Sequence, residues 1–369
     1  MVTEDKKLLE NLFVLELANN HWGNLDRGLD IVSQFSKVVR YNNVKAAIKL
    51  QFRDVDSFIH PDHKEHDSRY IQKTLATKLT KKEFKTLIDA IVDSGCLPMA
   101  TPFDERSVEF CGELELPVIK IASSDIADWP LMESVAKLDK PVMISNGGAS
   151  EKDTDDVVKF FSNRNIELGI NHCVSLYPSE DSELELNQID YLKNRYPNHV
   201  IGLSTHEYHD WFSSMLISYG KGARSWERHI DIEYPEGDSR SVSKYCSLPK
   251  QIDEWFKAFK KAEEMCGSSN KDTKRIITDK EIQYLDELVR GVYAKKDIKK
   301  GYKFSNDSFE RDFFMSVPLQ KGQLSCREIL NGEELTKDIK VNEPLMIDDI
   351  DHPYEDNSDF VKNIKKRGL

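Results

Sequence analysis

"PVIKIASSDIADWPLMESVAKLDKPVMISNG", residues 117 to 147, decides the fold. A short apolar run rich in β-formers (117 to 123) leads into "DIADWPLMESVAKL", whose apolar residues recur at helical spacing, and then into a second apolar run (141 to 147). Strand, helix and strand within roughly 30 residues is the βαβ unit of a parallel sheet.

The same alternation extends in both directions. The further runs are "FVLELAN" (13 to 19), "AAIKLQF" (46 to 52), "LPMATPF" (97 to 103), "IELGINHCV" (166 to 174), "HVIGLST" (199 to 205) and "ARSWERHI" (223 to 230). Between them lie helical patterns such as "NLDRGLDIVSQFSKVVRY" and "SEKDTDDVVKFFSN", several opening on Asp or Ser, which suit N-caps. Eight such units predict a TIM (β/α)8 barrel. An insert from about 54 to 95, polar and then helical, is expected to cover one barrel mouth.

The sequence divides into a barrel over 1–267, a polar linker over 268–285, a small β-rich module over 286–350 and a frayed tail over 351–369. Within the module "KKDIKKGYKFSNDSF" and "TKDIKVNEPLMIDDI" look like one short motif used twice, as in clip-like β modules.

Composition narrows the function. Of 369 residues, 39% are hydrophobic and 31% charged, which suits a large soluble core. A net charge of −12 argues against nonspecific nucleic-acid or anionic-membrane binding, so an anionic ligand must meet local lysines. No apolar run is long enough to span a bilayer, and the amino terminus does not read as a signal peptide. Cys96, Cys111, Cys173, Cys246, Cys266 and Cys326 form no C-x-x-C pair, which suits reduced thiols and a cytoplasmic protein.

Barrel chemistry sits at the carboxyl ends of the strands. The polar residues there are Glu16, Asn20 and His21; Lys49 and Gln51; Thr101; Lys120, Ser123 and Asp125; Asn146; His172, Ser175 and Tyr177; Ser204 and His206; Glu227 and His229. Strand alternation places Lys49 with Gln51, Ser204 with His206, and Glu227 with His229. Lys49 and Lys120 either pair with Glu16 or Glu227, or clamp a phosphate or carboxylate. His206 and His229 are either core histidines or, on neighbouring strands, two ligands of one open metal site. His209 lies beyond the strand, at outer-shell distance at best, and Cys173 is expected in the core.

These motifs resemble the sialic acid synthase family, which joins phosphoenolpyruvate to an aldose such as N-acetylmannosamine and makes a nine-carbon 2-keto sugar acid. "LELANNHWG" matches the family's "AE-x-G-x-NH-x-G", "KLQF" its "KFQ", and "GLSTHE" its "GLSDHT"; "WERHIDI" stands for "EKHFT". "TPFDE", "KIASSD" and "HCVSLYP" also match, and "YAKKDIKKG" echoes the family's antifreeze-like (SAF) domain, so the resemblance spans nearly the whole chain.

The resemblance implies a TIM barrel followed by an antifreeze-like β-clip domain, in a domain-swapped homodimer. It makes His206 and His229 ligands of Mn2+, Mg2+ or Co2+, and Glu16 the acid/base. Lys49, Lys120, Ser123 and Ser204 would hold phosphoenolpyruvate with help from Thr101, while Gln51, Asp125, Ser175, Tyr177 and Glu227 would complete the pocket. Where the family has Asn, Asp, Lys and His, this chain has Ser175, Thr205, Arg228 and Ser239, with Asp238 kept. The family's "RPG-x-G" turn aligns with "PLQKGQLS", where Lys321 or Arg327 would substitute. The alternatives are a metal-dependent barrel aldolase or lyase of a related 2-keto acid, and a noncatalytic sugar-binding homologue.

Overall fold

A computed structural model describes residues 8–267, 275–324 and 332–368. The chain divides into two compact units, residues 1–268 and 269–369.

In the first unit, β1 (Leu12–Ala18), β2 (Ala46–Phe52), β3 (Leu97–Pro102), β4 (Val118–Ile121), β5 (Val142–Ser145), β6 (Leu168–Cys173), β7 (Val200–Ser204) and β8 (Ser225–His229) close in sequence order into a parallel barrel. It is the TIM barrel expected from the eight apolar runs. β1 pairs with β2 on one side and with β8 on the other, which completes the ring.

Alternation along each strand separates two cores. Outward residues such as Phe13, Ile48, Ile119, Ile144, Ile170, Leu203 and Trp226 pack beneath the helices in one large cluster. Phe13 alone meets Trp226, Trp255, Phe256 and Phe259 with ring centroids 5.3, 5.0, 4.9 and 5.0 Å away. Inward residues Leu12, Val14, Ala47, Met99, Val118 and Met143 form a separate apolar plug at the amino ends of the strands. Continuing inward and upward by steps of two, the same strands present Glu16, Lys49, Thr101, Lys120, Ser145, Cys173, Ser204 and Glu227.

Local signals fix the helices. Asn24 caps Leu25–Asn42 by accepting the Arg27 amide at 3.0 Å, and Asn43 ends it in a left-handed conformation (φ 50°). The insert contains the helices Arg69–Ala76 and Lys81–Asp93, the second started by a Thr80/Glu83 capping box.

The second unit pairs β9 (Gly291–Ala294) with β10 (Phe313–Ser316), and β11 (Glu334–Leu335) with β12 (Ile350–Asp351), around Val292, Ile298, Phe304, Phe313, Ile339 and Ile347. The repeated motif pairs with itself: Ile298 and Ile339 exchange backbone hydrogen bonds of 2.8 and 2.9 Å. Lys299 reaches Asp338 at 2.7 Å while Lys340 reaches Asp297 at 3.3 Å, a local two-fold relation between the copies.

Two boundary expectations change. Residues Asp279–Asp286, read as linker, form a helix capped by Thr278, whereas 268–274 lie outside the described residues. The expected frayed tail contains the helix Asp359–Arg367, which buries Val361 and Ile364. Val361 and Ile364 are three apart, on one face of the helix, and Ile364 joins the apolar cluster of this unit.

Candidate active site

At the carboxyl ends of the strands a cavity of about 610 Å³ opens above the plug. Its floor is a chain of polar contacts. Lys49 Nζ donates to Thr101 Oγ1 (3.1 Å) and to Glu227 (3.1 Å), and is ion-paired with Glu16. Lys120 Nζ donates to Glu227 (2.8 Å) and to Ser145 Oγ (2.5 Å). Toward the rim, Gln51 Nε2 donates to Glu16 (3.1 Å), and Arg53 donates to Gln51 Oε1 (3.0 Å). The lysines therefore do pair with both carboxylates, and they do so inside the cavity.

An ammonium has three donors. Lys49 spends all of them on Thr101, Glu16 and Glu227, so it fixes the two carboxylates. Lys120 spends two and keeps one for a ligand.

The carboxylates differ in surroundings. Burial opposes ionisation of Glu227, but Lys120 and Lys49 on either side overcome it and hold the group at about 2. Glu16 is as deeply buried, has only Lys49 as a direct cationic partner and feels Glu227 nearby, so its pKa is raised. One carboxylate stays ionised and the other takes a proton readily, the separation that marks an acid/base pair of roles.

His206 and His229 come together, ring centroids 5.5 Å apart, beneath Tyr177 and Tyr245. His206 lies two residues beyond the end of β7, in the following loop, not on the strand as expected. Its Nδ1 meets the Val174 carbonyl at 3.0 Å, which fixes the ring and leaves Nε2 free. Burial depresses it to about 4. His229 is pushed well below the usual histidine value by burial and then by His206, and its Nδ1 is buried without a hydrogen-bond partner. Two neutral imidazoles with a spare nitrogen fit a divalent cation. Among the described residues no third His, Cys, Asp or Glu joins them, so substrate oxygens would complete the coordination.

Behind the histidines lies a buried ion pair. Arg228 donates to Glu207 at 2.6 Å, and Glu207 also accepts from Ser214 (2.5 Å) and from Thr205. Glu207 follows one histidine and Arg228 precedes the other, so the pair ties their backbones together. Thr205 and Arg228, two of the four departures from the family pattern, are both in this network.

Ser123, Ser175 and Gly147 form a cradle after β4, β5 and β6, on the wall next to His206. The Gly147 amide donates to Ser123 Oγ at 3.1 Å, and a Cβ on Gly147 would collide with both serine hydroxyls. Glycine is required there by close approach.

Glu16, Lys49, Gln51, Thr101, Lys120, Ser123, Ser175, Tyr177, Ser204, His206, Glu227 and His229 all line the cavity, as does Asn20. Asp125 does not; it ends a short turn behind the wall, with Oδ2 buried and unpartnered and its pKa pushed by burial to about 6. His172 and Cys173 exchange their expected places. Gly169, Asn171 and Cys173 point inward, so Cys173 lines the cavity while His172 faces out and meets the Leu184 carbonyl at 2.8 Å. His21 packs against Phe84, and Asn146 is absent from the lining. His209 is exposed and pairs with Asp181.

The sequence reading missed Arg53, Tyr70, Lys73, Thr74, Ser145 and Tyr245. Three of these come from the helix Arg69–Ala76, inside the insert expected to cover the mouth.

Known proteins share this arrangement of chain. Residues 42–271 match the model of the NeuB family. The chain is 30% identical over 302 residues to a protein of Methanocaldococcus jannaschii, covering 81% of this chain and 84% of that one. It is 27% identical over 355 residues to the pseudaminic acid synthase of Campylobacter jejuni, covering 92% and 96%. A Chromobacterium violaceum crystal structure, assigned as spore coat polysaccharide biosynthesis protein E, superposes with a TM-score of 0.85 at 32% identity over 92% of this chain and 99% of that one. With the family model matched over most of the barrel and these relatives aligned over most of their length, the chain belongs to the NeuB family.

Proposed function

We propose that the cavity condenses phosphoenolpyruvate with the aldehyde of an open-chain sugar, giving a 2-keto-3-deoxy sugar acid of the nonulosonic type and phosphate. The observation that carries this is the division of labour on the floor. Glu227 is locked as an anion between two lysines, and Glu16 is left able to hold and release a proton beside two neutral imidazoles.

Phosphoenolpyruvate brings a charge of about −2.5 to −3. The remaining Lys120 donor, the hydroxyls of Ser123, Ser175 and Ser204, and the cradle at Gly147 receive it. Tyr177 and Tyr245 wall the cavity beside the imidazoles. A divalent cation held by His206 and His229 (Mn2+, Mg2+ or Co2+) would supply Lewis-acid polarisation of the aldehyde oxygen.

C3 of phosphoenolpyruvate attacks the aldehyde carbon, forming the new C–C bond and leaving C2 as an oxocarbenium. Glu16, protonated, gives its proton to the forming alkoxide. As a carboxylate it then takes a proton from the water that adds at C2, and the tetrahedral centre expels phosphate with cleavage of the C2–O bond, the C2 hydroxyl giving its remaining proton to the departing phosphate as the ketone forms. The proton cycle closes on one residue. Lys49 keeps Glu16 aimed, and Glu227 keeps both lysines charged.

The NeuB membership and the pseudaminic acid synthase similarity support this reading. By the same resemblance the enzyme is cytoplasmic and a domain-swapped homodimer, its second unit the antifreeze-like domain. Lys321 is exposed on that unit, and Arg327 lies outside the described residues. Among the described residues no helix is long and apolar enough to cross a membrane.

Phosphate release from phosphoenolpyruvate tests the proposal, with Mn2+, Mg2+ or Co2+ and a panel of 2-acetamido, 2,4-diacetamido and unmodified aldoses, free or carrying a terminal anion. Release that depends on one sugar class is expected. No release with any of them would sink the synthase reading.

A further inference from the structure

Two cations on the cavity wall have no role in the chemistry above. Arg53 follows the end of β2, and Lys73 comes from the helix Arg69–Ala76. Arg53 is held by aromatic rings, its guanidinium carbon 3.6 Å from the Phe103 centroid and 5.6 Å from those of Phe58 and Tyr70. Its polar partners are neutral, the Gln51 amide oxygen and the Tyr70 hydroxyl, and its Nε is buried with no hydrogen-bond partner. Lys73 lies 5.2 Å from the Trp22 ring centroid. Among the described residues neither Arg53 nor Lys73 has a carboxylate within ion-pair distance, and Glu16 and Asp125 act on Arg53 only from farther away. Burial weakens the proton affinity of Lys73; Cys246 and Asp231 oppose this from a distance, and Arg69 and Arg53 add repulsion. Two partly desolvated cations facing one cavity without counter-ions are costly unless an anion joins them.

The floor cannot supply that anion, because Glu16 and Glu227 are already engaged by Lys49 and Lys120. Phosphoenolpyruvate is not well placed to supply it either. Its cradle follows β4, β5 and β6, and in a closed ring of eight strands β2 stands opposite β6. His206 follows β7 and His229 ends β8, between these two sides. An aldose whose aldehyde lies at the histidines, with phosphoenolpyruvate on the β4–β6 side, extends its far end toward β1 and β2. Arg53 stands there, two residues and about 6.6 Å of strand rise above Gln51.

Resting on the condensation reading above, we propose that the acceptor aldose is anionic at the end remote from its aldehyde, and that Arg53 and Lys73 bind this phosphate or carboxylate. Arginine supplies a planar fork and lysine a point charge, the combination suited to an oxyanion.

The test compares N-acetylmannosamine, its 6-phosphate and its 6-carboxylate as acceptors with the full-length, metal-loaded enzyme. One of the two anionic acceptors is expected to have a kcat/KM at least about 10-fold above the neutral sugar, and whichever wins identifies the anion. In Arg53→Gln and Lys73→Gln its KM should rise about 10- to 100-fold, the worth of one charge-assisted hydrogen bond, while the KM for phosphoenolpyruvate stays put. A neutral acceptor used as well as either anionic one, or a rise in the phosphoenolpyruvate KM instead, overturns the assignment. Calorimetric titration of the 6-phosphate and the 6-carboxylate, without turnover, measures the subsite independently of catalysis. Tenfold weaker binding in both variants supports the subsite, and unchanged binding, or none in the parent, overturns it. If none of the three acceptors releases phosphate, the titration decides the role of Arg53 and Lys73, and the condensation reading falls only when the wider aldose panel above gives no release either.

Discussion

The two ends of the barrel interior are built from the same eight strands, two residues apart, and obey different rules. At the amino end Leu12, Val14, Ala47, Met99, Val118 and Met143 fill space, and volume is what matters. At the carboxyl end Glu16, Lys49, Lys120 and Glu227 are just as buried, yet each is there because another charge requires it. The plug seals the barrel so that the charged layer above it has no water below. Its low dielectric magnifies the difference in cationic partners, two lysines on Glu227 and one on Glu16, that separates their behaviour. A scaffold and a site thus differ by one step of strand alternation.

That contrast can be broken at several points. Glu16→Gln keeps the shape and removes the proton carrier, so turnover should fall about 10²- to 10⁴-fold, measured as phosphate release, with the folded state intact. Glu227→Leu leaves Lys120 without its carboxylate partner and should cost about 3–5 kcal/mol of stability, measured by denaturant unfolding. Asp125→Asn should give a smaller, pH-dependent gain. The folded chain binds the Asp125 proton at about pH 6 and the unfolded chain near 3.8, so ionised Asp125 destabilises the fold above pH 6. This cost fades as pH falls from 6 to 3.8. The variant should therefore melt higher than its parent at pH 7.5, with the advantage gone near pH 4. At the plug, Met143→Leu conserves volume and should cost less than about 1.5 kcal/mol with little change in turnover.

How much of this was legible in the sequence follows from the same contrast. Parallel strands buried on both faces read as continuous apolar runs, so the barrel was plain, and charged residues interrupting such runs, as in "AAIKLQF" and "PVIKIAS", exposed the floor. The parity of β6 was not legible. "LGINHC" offers His172 as a polar strand end, but Asn171 points inward and accepts from Ser225, and this turns His172 outward. Arg53 and Tyr245 lie in loops beyond strand ends, where no period marks direction, and Lys73 sits on a helix of the insert whose period does not tell which barrel wall it meets. The helix Asp279–Asp286 was hidden by its shortness: Ile282 and Leu285 give it a single apolar pair on one face, and neither is buried.

The central claim is that phosphoenolpyruvate joins the sugar at carbon and loses phosphate from C2. It is tested most directly by ³¹P NMR of the phosphate released from phosphoenolpyruvate labelled with oxygen-18 in the C2–O–P bridge, in the presence of the acceptor. Retention of the heavy oxygen in the phosphate, seen as an isotope-shifted resonance, is the expected result. Unlabelled phosphate would mean that the P–O bond broke, and would contradict the mechanism assigned to Glu16 and the cavity floor.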